Sequence, residues 1–389
     1  MESMYKDCVF REREKMIDLW EKIVNIDSNT MNIEGIKKMI DLFSDVLIED
    51  GIESYCIDSE GAGPIFIGEI NSNKLNKEIL LIGHMDTVFK EGSADDRPFF
   101  IENGKAYGPG VLDMKAGLVI AIYVLKILKK INFLDYNIKC NFFSDEENLH
   151  MFSNAKQKVI SQCKNAIIAL NFETGYLDDS IVISRNGGGV IEVNVSGVQA
   201  HSGIAPENGR NAILVAARKI EKLEKRNDYS RKKMINCGVI SGGIGPNTIP
   251  GNCKFEIGFR FPTQTIKNEI LEDITTILDE VEIEGTKVEF NIKVLMECME
   301  ATEEVLKLYN YYEKIANKIK YGKLKPVSIG GVSDSGIFVT NGIPTICGLG
   351  VKGEKNHTTE EYAIVDSLFE RTLLAIEAIK NLGSDYYGK

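Results

Sequence analysis

The chain reads as an α/β protein with a mostly parallel sheet, into which a second, α+β unit is inserted. Three observations predict this. Apolar strand-like runs alternate with helix-period segments in the outer parts of the chain. The middle changes to strands of period two, the pattern of an antiparallel sheet with one solvated face. Acids and histidines follow the C-terminal ends of the apolar runs, where open parallel sheets bind their ligands.

Residues 12–50 carry two amphipathic helices, the first with Met16, Ile17, Leu19, Trp20, Ile23 and Val24 at helical spacing. The apolar run 78–83 enters His84-Met85-Asp86, the run 137–143 enters Ser144-Asp145-Glu146-Glu147, and the run 166–172 enters Glu173. Between the first two, Asp113-Met114-Lys115-Ala116-Gly117 opens a helix reaching Lys130. Its first half is apolar nearly all round, which places it against a sheet. A fourth run, 343–349, precedes His357.

In the middle, Ile191, Val193 and Val195 alternate with Glu192, Asn194 and Ser196. Cys253, Phe255, Ile257, Phe259 and Phe261 alternate with polar residues and glycine, and Val288, Phe290, Ile292 and Val294 share one face of a further strand. Helical spacing covers 209–225 and 265–280. The expected organisation is a catalytic unit of 1–186 and 297–389 around an inserted unit of 187–296, with Gly187-Gly188-Gly189 permitting a hinge at the junction. A helix beginning near Thr302 returns the chain to the first unit.

A net charge of -11 excludes a nucleic-acid binder, which needs a cationic surface. The first 25 residues carry charges throughout, without a signal-peptide core. The apolar stretch 118–125 is far short of the roughly 20 residues of a membrane span. Eight cysteines without a C-x-x-C pair suggest neither a disulfide framework nor a thiolate metal site. A reduced, cytoplasmic protein is the expectation.

Imidazoles and carboxylates without thiolates suit zinc, cobalt or manganese in a hydrolytic site. Two ions about 3.5–4 Å apart need a bridging carboxylate and further ligands on each side. His84, Asp113, Glu147, Glu173 and His357 supply that inventory. Asp86, two residues beyond His84, is placed to accept the other ring N–H. Glu146 precedes a ligand and is free to take a proton from water. A lone acid after a strand is ordinarily a turn residue or helix cap; several at strand ends argue otherwise. Spacing leaves open which residue serves which ion.

The strings Gly83-His84-Met85-Asp86-Thr87-Val88, Gly108-Pro109-Gly110-Val111-Leu112-Asp113-Met114-Lys115-Ala116-Gly117 and Ser144-Asp145-Glu146-Glu147 are joined by Gly197-Val198-Gln199-Ala200-His201-Ser202-Gly203. Gly209-Arg210-Asn211-Ala212, Gly330-Gly331-Val332-Ser333-Asp334-Ser335 and His357-Thr358-Thr359-Glu360-Glu361-Tyr362 follow in order. Together, over about residues 80 to 370, they resemble the co-catalytic zinc exopeptidases. That family includes glutamate carboxypeptidase, acetylornithine deacetylase, succinyl-diaminopimelate desuccinylase, aminoacylase and peptidase T.

The resemblance implies a zinc-exopeptidase-like sheet with helices on both faces, an inserted dimerisation domain, a homodimer and two zinc ions per subunit. His84, Asp113 and Glu173 would hold one ion and Asp113, Glu147 and His357 the other, with Asp113 bridging. Glu146 would be the general base that deprotonates the attacking water, then the acid that protonates the leaving amine. Asp86 would orient His84, and the bond between Asp113 and Met114 would be cis. His201 would reach into the partner subunit's site to stabilise the oxyanion. Arg260 would grip the substrate carboxylate through its planar fork. Asn247 would touch substrate, and Gly331 would let backbone approach it.

The chain departs from the pattern after Glu147, where Asn148-Leu149-His150-Met151-Phe152-Ser153 contains no glycine. His150 is expected there as a surface or helix-N-terminal residue, with a substrate contact as the alternative. No acid stands two residues before Arg260. Relatives that cut N-acyl groups often carry aspartate at position 173, so the resemblance, with Glu173 here, favours a peptidase. The expected activity is a carboxypeptidase of glutamate-carboxypeptidase type acting on a small peptide or N-acyl amino acid. An N-acyl-amino-acid deacylase, an amino-end di- or tripeptidase and a non-catalytic binding member are the rivals.

Overall fold

A computed structural model describes residues 2–71 and 77–386. In chain order the elements used below are α1 (Glu2–Val24), α2 (Ile33–Ile48), β1 (Glu53–Ile57), β2 (Ile65–Ile70), β3 (Glu78–His84), α3 (Ala116–Lys130), β4 (Asn137–Phe143), α4 (Ala155–Gln162) and β5 (Ala166–Asn171). There follow β6 (Gly187–Ser196), α5 (Ala212–Glu224), β7 (Met234–Gly242), β8 (Asn252–Phe261), α6 (Gln264–Asp279), β9 (Lys287–Met296), α7 (Glu303–Lys318), α8 (Ser335–Thr340), β10 (Thr345–Ile346) and α9 (Val365–Asn381).

The chain divides into two compact units. The first comprises residues up to Ser184, Ala301–Ile329 and the chain from Ser333 onward. Its six-stranded sheet has the order β1-β2-β4-β3-β5-β10. β3 runs parallel to β4 and β5, and β10 parallel to β5; β1 and β2 add two antiparallel pairings at one edge. The sheet is therefore mostly parallel around β3, as the apolar runs predict.

Successive residues of β3 enter different cores, since strand side chains alternate between faces. Ile79 and Leu81 pack with Trp20, Phe43, Val119 and Ile376 from the helices of one face. Leu80 and Ile82 pack with Val159, Ile337 and Phe338 on the other. Each of these fully buried aliphatic side chains contributes about 1.5–3 kcal/mol. α3 is buried from Ala116 to Leu128, including Lys126, whose ammonium reaches Asp50 and the Val46 carbonyl. Gly117 lets this helix start against the end of β5: a Cβ there would lie 2.0 Å from the Phe172 carbonyl oxygen.

The second unit comprises Arg185–Glu300 and Gly330–Val332. It begins before 187 and ends after 296 because Arg185 and Met299 pair as an antiparallel bridge. Its antiparallel sheet has the order β7-β8-β6-β9. Ile191, Val193, Phe255 and Ile257 meet Val215, Leu223, Ile270 and Ile274 of α5 and α6. The other face is ionic, with Lys254 on Glu192 at 2.5 Å and Lys293 between Glu192 and Glu256 at 2.9 Å each.

One sequence expectation is corrected here. Val288, Phe290, Ile292 and Val294 do not share a face, because a bulge at Lys293 shifts the register. Ile292 lies opposite Ile191 but Val294 opposite Val190. The triglycine is part of a strand and not a loop. Gly187, Gly188 and Gly189 lie inside β6 opposite Phe261, Arg260 and Phe259, and the side chains of those residues occupy the space where Cβ atoms would stand.

Candidate metal centre and active site

The C-terminal ends of three adjacent parallel strands deliver His84, the Glu146-Glu147 turn and Glu173. His84 is fixed by its Nδ1, which stands 3.0 Å from the Asp86 backbone carbonyl. A carbonyl only accepts, so Nδ1 carries the proton and Nε2 is left as the free lone pair. That atom faces Asp113 Oδ1 at 3.4 Å, Glu173 Oε1 at 3.7 Å and Glu146 Oε2 at 4.0 Å. The second carboxylate oxygen of Asp113 faces His357 Nε2 at 3.2 Å, which in turn stands 3.4 Å from Glu147 Oε2.

Asp113 thus turns one oxygen to each histidine. The distances of 3.4 and 3.7 Å at His84 exceed an N–H···O bond. They match the roughly 3.3 Å between two atoms each about 2.0–2.1 Å from a tetrahedral zinc ion. The ligand atoms of His84, Asp113 and Glu173 form one compact group, and those of Asp113, Glu147 and His357 a second that shares Asp113. Glu147 Oε1 is buried and has no hydrogen-bond partner among the described residues. The donor set fits two cations.

The charges favour the same conclusion. Burial pushes the Glu146 carboxyl well above its usual range; His84 opposes this and Glu173, Asp334 and Glu147 add to it. Burial also raises Glu147. Burial works against a charged His84, yet the neighbouring carboxylates of Asp113 and Asp86 carry it well above its ordinary value. Hydrogen bonds to Asp113 and Glu147 raise His357 to about 11. Without cations, protons must hold these acids together.

Asp113 sits in a loop of residues 110–115 and its bond to Met114 is cis. The loop is fastened by groups far away in sequence. Glu361 accepts the backbone N–H groups of Gly110, Leu112 and Asp113 at 3.0, 2.9 and 2.9 Å. Trp20 Nε1 donates to the Val111 carbonyl, and the buried Lys115 ammonium to that of Ile26. Asn356 donates to Asp113 Oδ2 at 3.0 Å.

Asp86 does more than the sequence suggests. Its carboxylate lies 3.4 Å from His84 Nδ1 but accepts the backbone N–H of Glu146 at 3.2 Å and of Glu147 at 3.1 Å, and the Thr30 hydroxyl at 2.6 Å. It therefore pins the turn that carries Glu146 and Glu147. His150 is neither a surface residue nor a helix-N-terminal one. It is 4% exposed and bridges Asp145 and Asp334. Thr30, Glu361, Asn356 and Asp334 went unassigned in the sequence. Only the position of Glu361 and Asp334 inside quoted motifs marked them.

The other candidates belong to the second unit. His201 and Asn247 lie on facing segments: His201 pairs with Thr248, and the Ser202 N–H donates to the Asn247 carbonyl. His201 is exposed, and its Nδ1 accepts the Gly203 N–H at 3.1 Å. Arg260 stands on the exposed face of β8, its guanidinium donating to the Phe259 carbonyl. Among the described residues no carboxylate pairs with it. Gly331 is exposed in its loop.

Comparisons with known proteins agree with this architecture. The chain is 27% identical to carboxypeptidase G2 of Pseudomonas sp. (strain RS-16) over 385 residues, covering 96% of this chain and 90% of that one. It is 24% identical to a succinyl-diaminopimelate desuccinylase of Hydrogenovibrio crunogenus, covering 94% and 98%. Among solved structures, the aminopeptidase PepT of Bacillus cereus superposes with a TM-score of 0.75 at 21% identity, covering 95% of this chain and 99% of that one. Residues 80–381 match the description of Peptidase family M20/M25/M40. The protein is a member of that family of metal-dependent hydrolases.

Proposed function

We propose that the protein is a di-zinc carboxypeptidase of glutamate-carboxypeptidase type, which removes a carboxylate-bearing residue from a small peptide. The observation that carries this reading is Asp113, whose two oxygens face two separate histidines, with Glu146 buried beside them. His84, Asp113 and Glu173 would hold one ion, and Asp113, Glu147 and His357 the other. Bound there, two zinc ions supply Lewis acidity toward water and the scissile carbonyl.

The chain's own groups do the proton work. Glu146 takes a proton from water on its carboxylate and returns it to the departing nitrogen. An acid raised by burial holds that proton long enough to deliver it. His84 is kept in one tautomer by the Asp86 carbonyl. Arg260, with which no carboxylate among the described residues pairs, serves as the fork for the substrate's carboxylate. His201 serves the oxyanion in a site completed by the second subunit of a homodimer.

The test is hydrolysis of dipeptides, tripeptides and N-acyl glutamates by the purified protein, with chelator and then with added zinc, cobalt or manganese. Release of a C-terminal acidic residue, lost on chelation and restored by zinc, is expected. Exclusive release of the N-terminal residue would overturn the assignment. Similarity to a desuccinylase favours a second reading, an N-acyl-amino-acid deacylase, and preference for the acyl substrates in the same panel would establish it.

A further inference from the structure

We propose that His150 is a positioning residue: clamped between Asp145 and Asp334, it ties the turn bearing Glu146 and Glu147 to the 333–335 turn and fixes where the general base stands. This rests on the reading of Glu146 as that base.

The bridge is short at both ends, with Nδ1 2.7 Å from Asp145 Oδ1 and Nε2 2.6 Å from Asp334 Oδ1. Carboxylates only accept, so each ring nitrogen must carry a proton and the ring is an imidazolium. The ring's edge contact is with Phe143, at 5.2 Å between centroids. The ring is buried, and a buried cation there is held by its two partners. The raised pKa of His150, about 10 against the opposing effect of burial, agrees with this: Asp334 and Asp145 both favour the charge.

The backbone shows what the clamp replaces. Leu149 and His150 both stand in the left-handed region, with φ of 57° and 52°. Such conformations are strained for non-glycine residues and cost glycine little. The turn closes with the Leu149 N–H on the Glu146 carbonyl and the His150 N–H on that of Asp145. A tight turn built without glycine is maintained by an ion pair at its far end.

The anchor at the other side matters equally. Asp334 stands at the start of α8 but caps no N–H; its carboxylate goes to His150 instead. Its neighbour Ser335 accepts Asn171 Nδ2 at 2.8 Å, and Asn171 Oδ1 accepts the Glu173 N–H at 3.2 Å. One short turn therefore indexes both the Glu146-Glu147 pair, through His150, and Glu173, through Asn171. Asp86 holds the Glu146-Glu147 turn from the opposite side through its N–H groups. The two braces together define the site's floor.

The experiment compares zinc-loaded wild type with His150→Gln, Asp334→Asn and the double variant, reading kcat, KM, zinc content and thermal midpoint. A neutral amide cannot donate to both aspartates as the imidazolium does. His150→Gln should lower kcat by about 10–100-fold, the usual effect of removing a group that orients a metal-site residue. KM should stay within about twofold, with two zinc ions per chain. The double variant should cost no more than His150→Gln alone, because both changes cut one link.

An unchanged kcat in the folded, zinc-loaded variant, or strictly multiplicative losses, would overturn the role. So would a loss explained entirely by missing zinc. Should His150→Gln fail to fold, Asp334→Asn carries the kinetic comparison. Histidine-selective ¹⁵N spectra of the wild type must show both nitrogens of His150 protonated at neutral pH, and one bare nitrogen overturns the clamp. A wild type that hydrolyses no substrate overturns the reading of Glu146 and this role with it. An active wild type with an indifferent His150→Gln overturns the role alone.

Discussion

Glu361 accepts the backbone N–H of Asp113 at 2.9 Å, although the two residues are 248 positions apart. The same oxygen takes Leu112, and the other takes Gly110. One buried carboxylate thereby organises the loop whose aspartate faces both histidines. Burial pushes Glu361 up to about 7, against the pull of those three N–H groups.

Glu361→Gln tests this. An amide offers one carbonyl oxygen and brings an N–H₂ against backbone donors, so at least one of the three N–H groups loses its acceptor. Metal affinity should fall by about 10–100-fold, measured by titration of the metal-free protein with zinc. Unchanged affinity would show that the loop holds its shape without Glu361.

Glu146→Gln should behave differently. The residue belongs to neither ligand group, and under the proposed function its part is to move a proton. Turnover should fall by about 10²–10⁴-fold while zinc content stays near that of the wild type. Full activity in this variant would remove Glu146 from the mechanism.

Arg260→Lys keeps the charge and loses the fork. Hydrogen bonds to charged groups are worth about 1.5–3 kcal/mol, so kcat/KM for a substrate with a free carboxylate should fall at least about tenfold. The same substrate amidated at that carboxylate should be cleaved equally by both proteins. Equal losses on both substrates would show that Arg260 does not read the carboxylate.

The His150 clamp also predicts a pH dependence of stability. Its pKa rises from 6.5 to about 10 on folding. The stabilisation is therefore complete below about pH 6.5 and is lost as pH climbs through about 10. Urea unfolding of wild type and His150→Gln should differ most at pH 6 and converge toward pH 10. Removing one partner of a buried pair costs about 3–5 kcal/mol, which sets the scale at the lower pH. A constant difference across that range would mean that the ring is not charged.

Much of this protein is legible in its sequence, for a local reason. Whether Leu80 and Ile79 lie on opposite faces of a strand depends only on the period of the strand. The arrival of His84, Glu147 and Glu173 at strand ends depends on where each apolar run stops. The sharing of Asp113 was implied only by the family resemblance, since spacing leaves open which residue serves which ion. The limits are equally local. Val294 leaves the face of Ile292 because a bulge at Lys293 interrupts the period, and no composition marks a bulge. The triglycine lies inside a strand, with Phe259, Arg260 and Phe261 across it in the neighbouring strand.

What the sequence by itself determined is the chemistry at hand: an α/β sheet, two histidines and their acids at its strand ends, and membership of a hydrolase family through strings of adjacent residues. The tertiary structure alone decided which groups hold those residues still. Asp86 reaches two N–H groups sixty positions on, Glu361 fastens the Asp113 loop, and His150, expected at the surface, is buried between two aspartates. Hydrogen bonds between distant segments are set only when the sheet and its helices close. Periodicity records which way a side chain points along its own element, and not what it meets there.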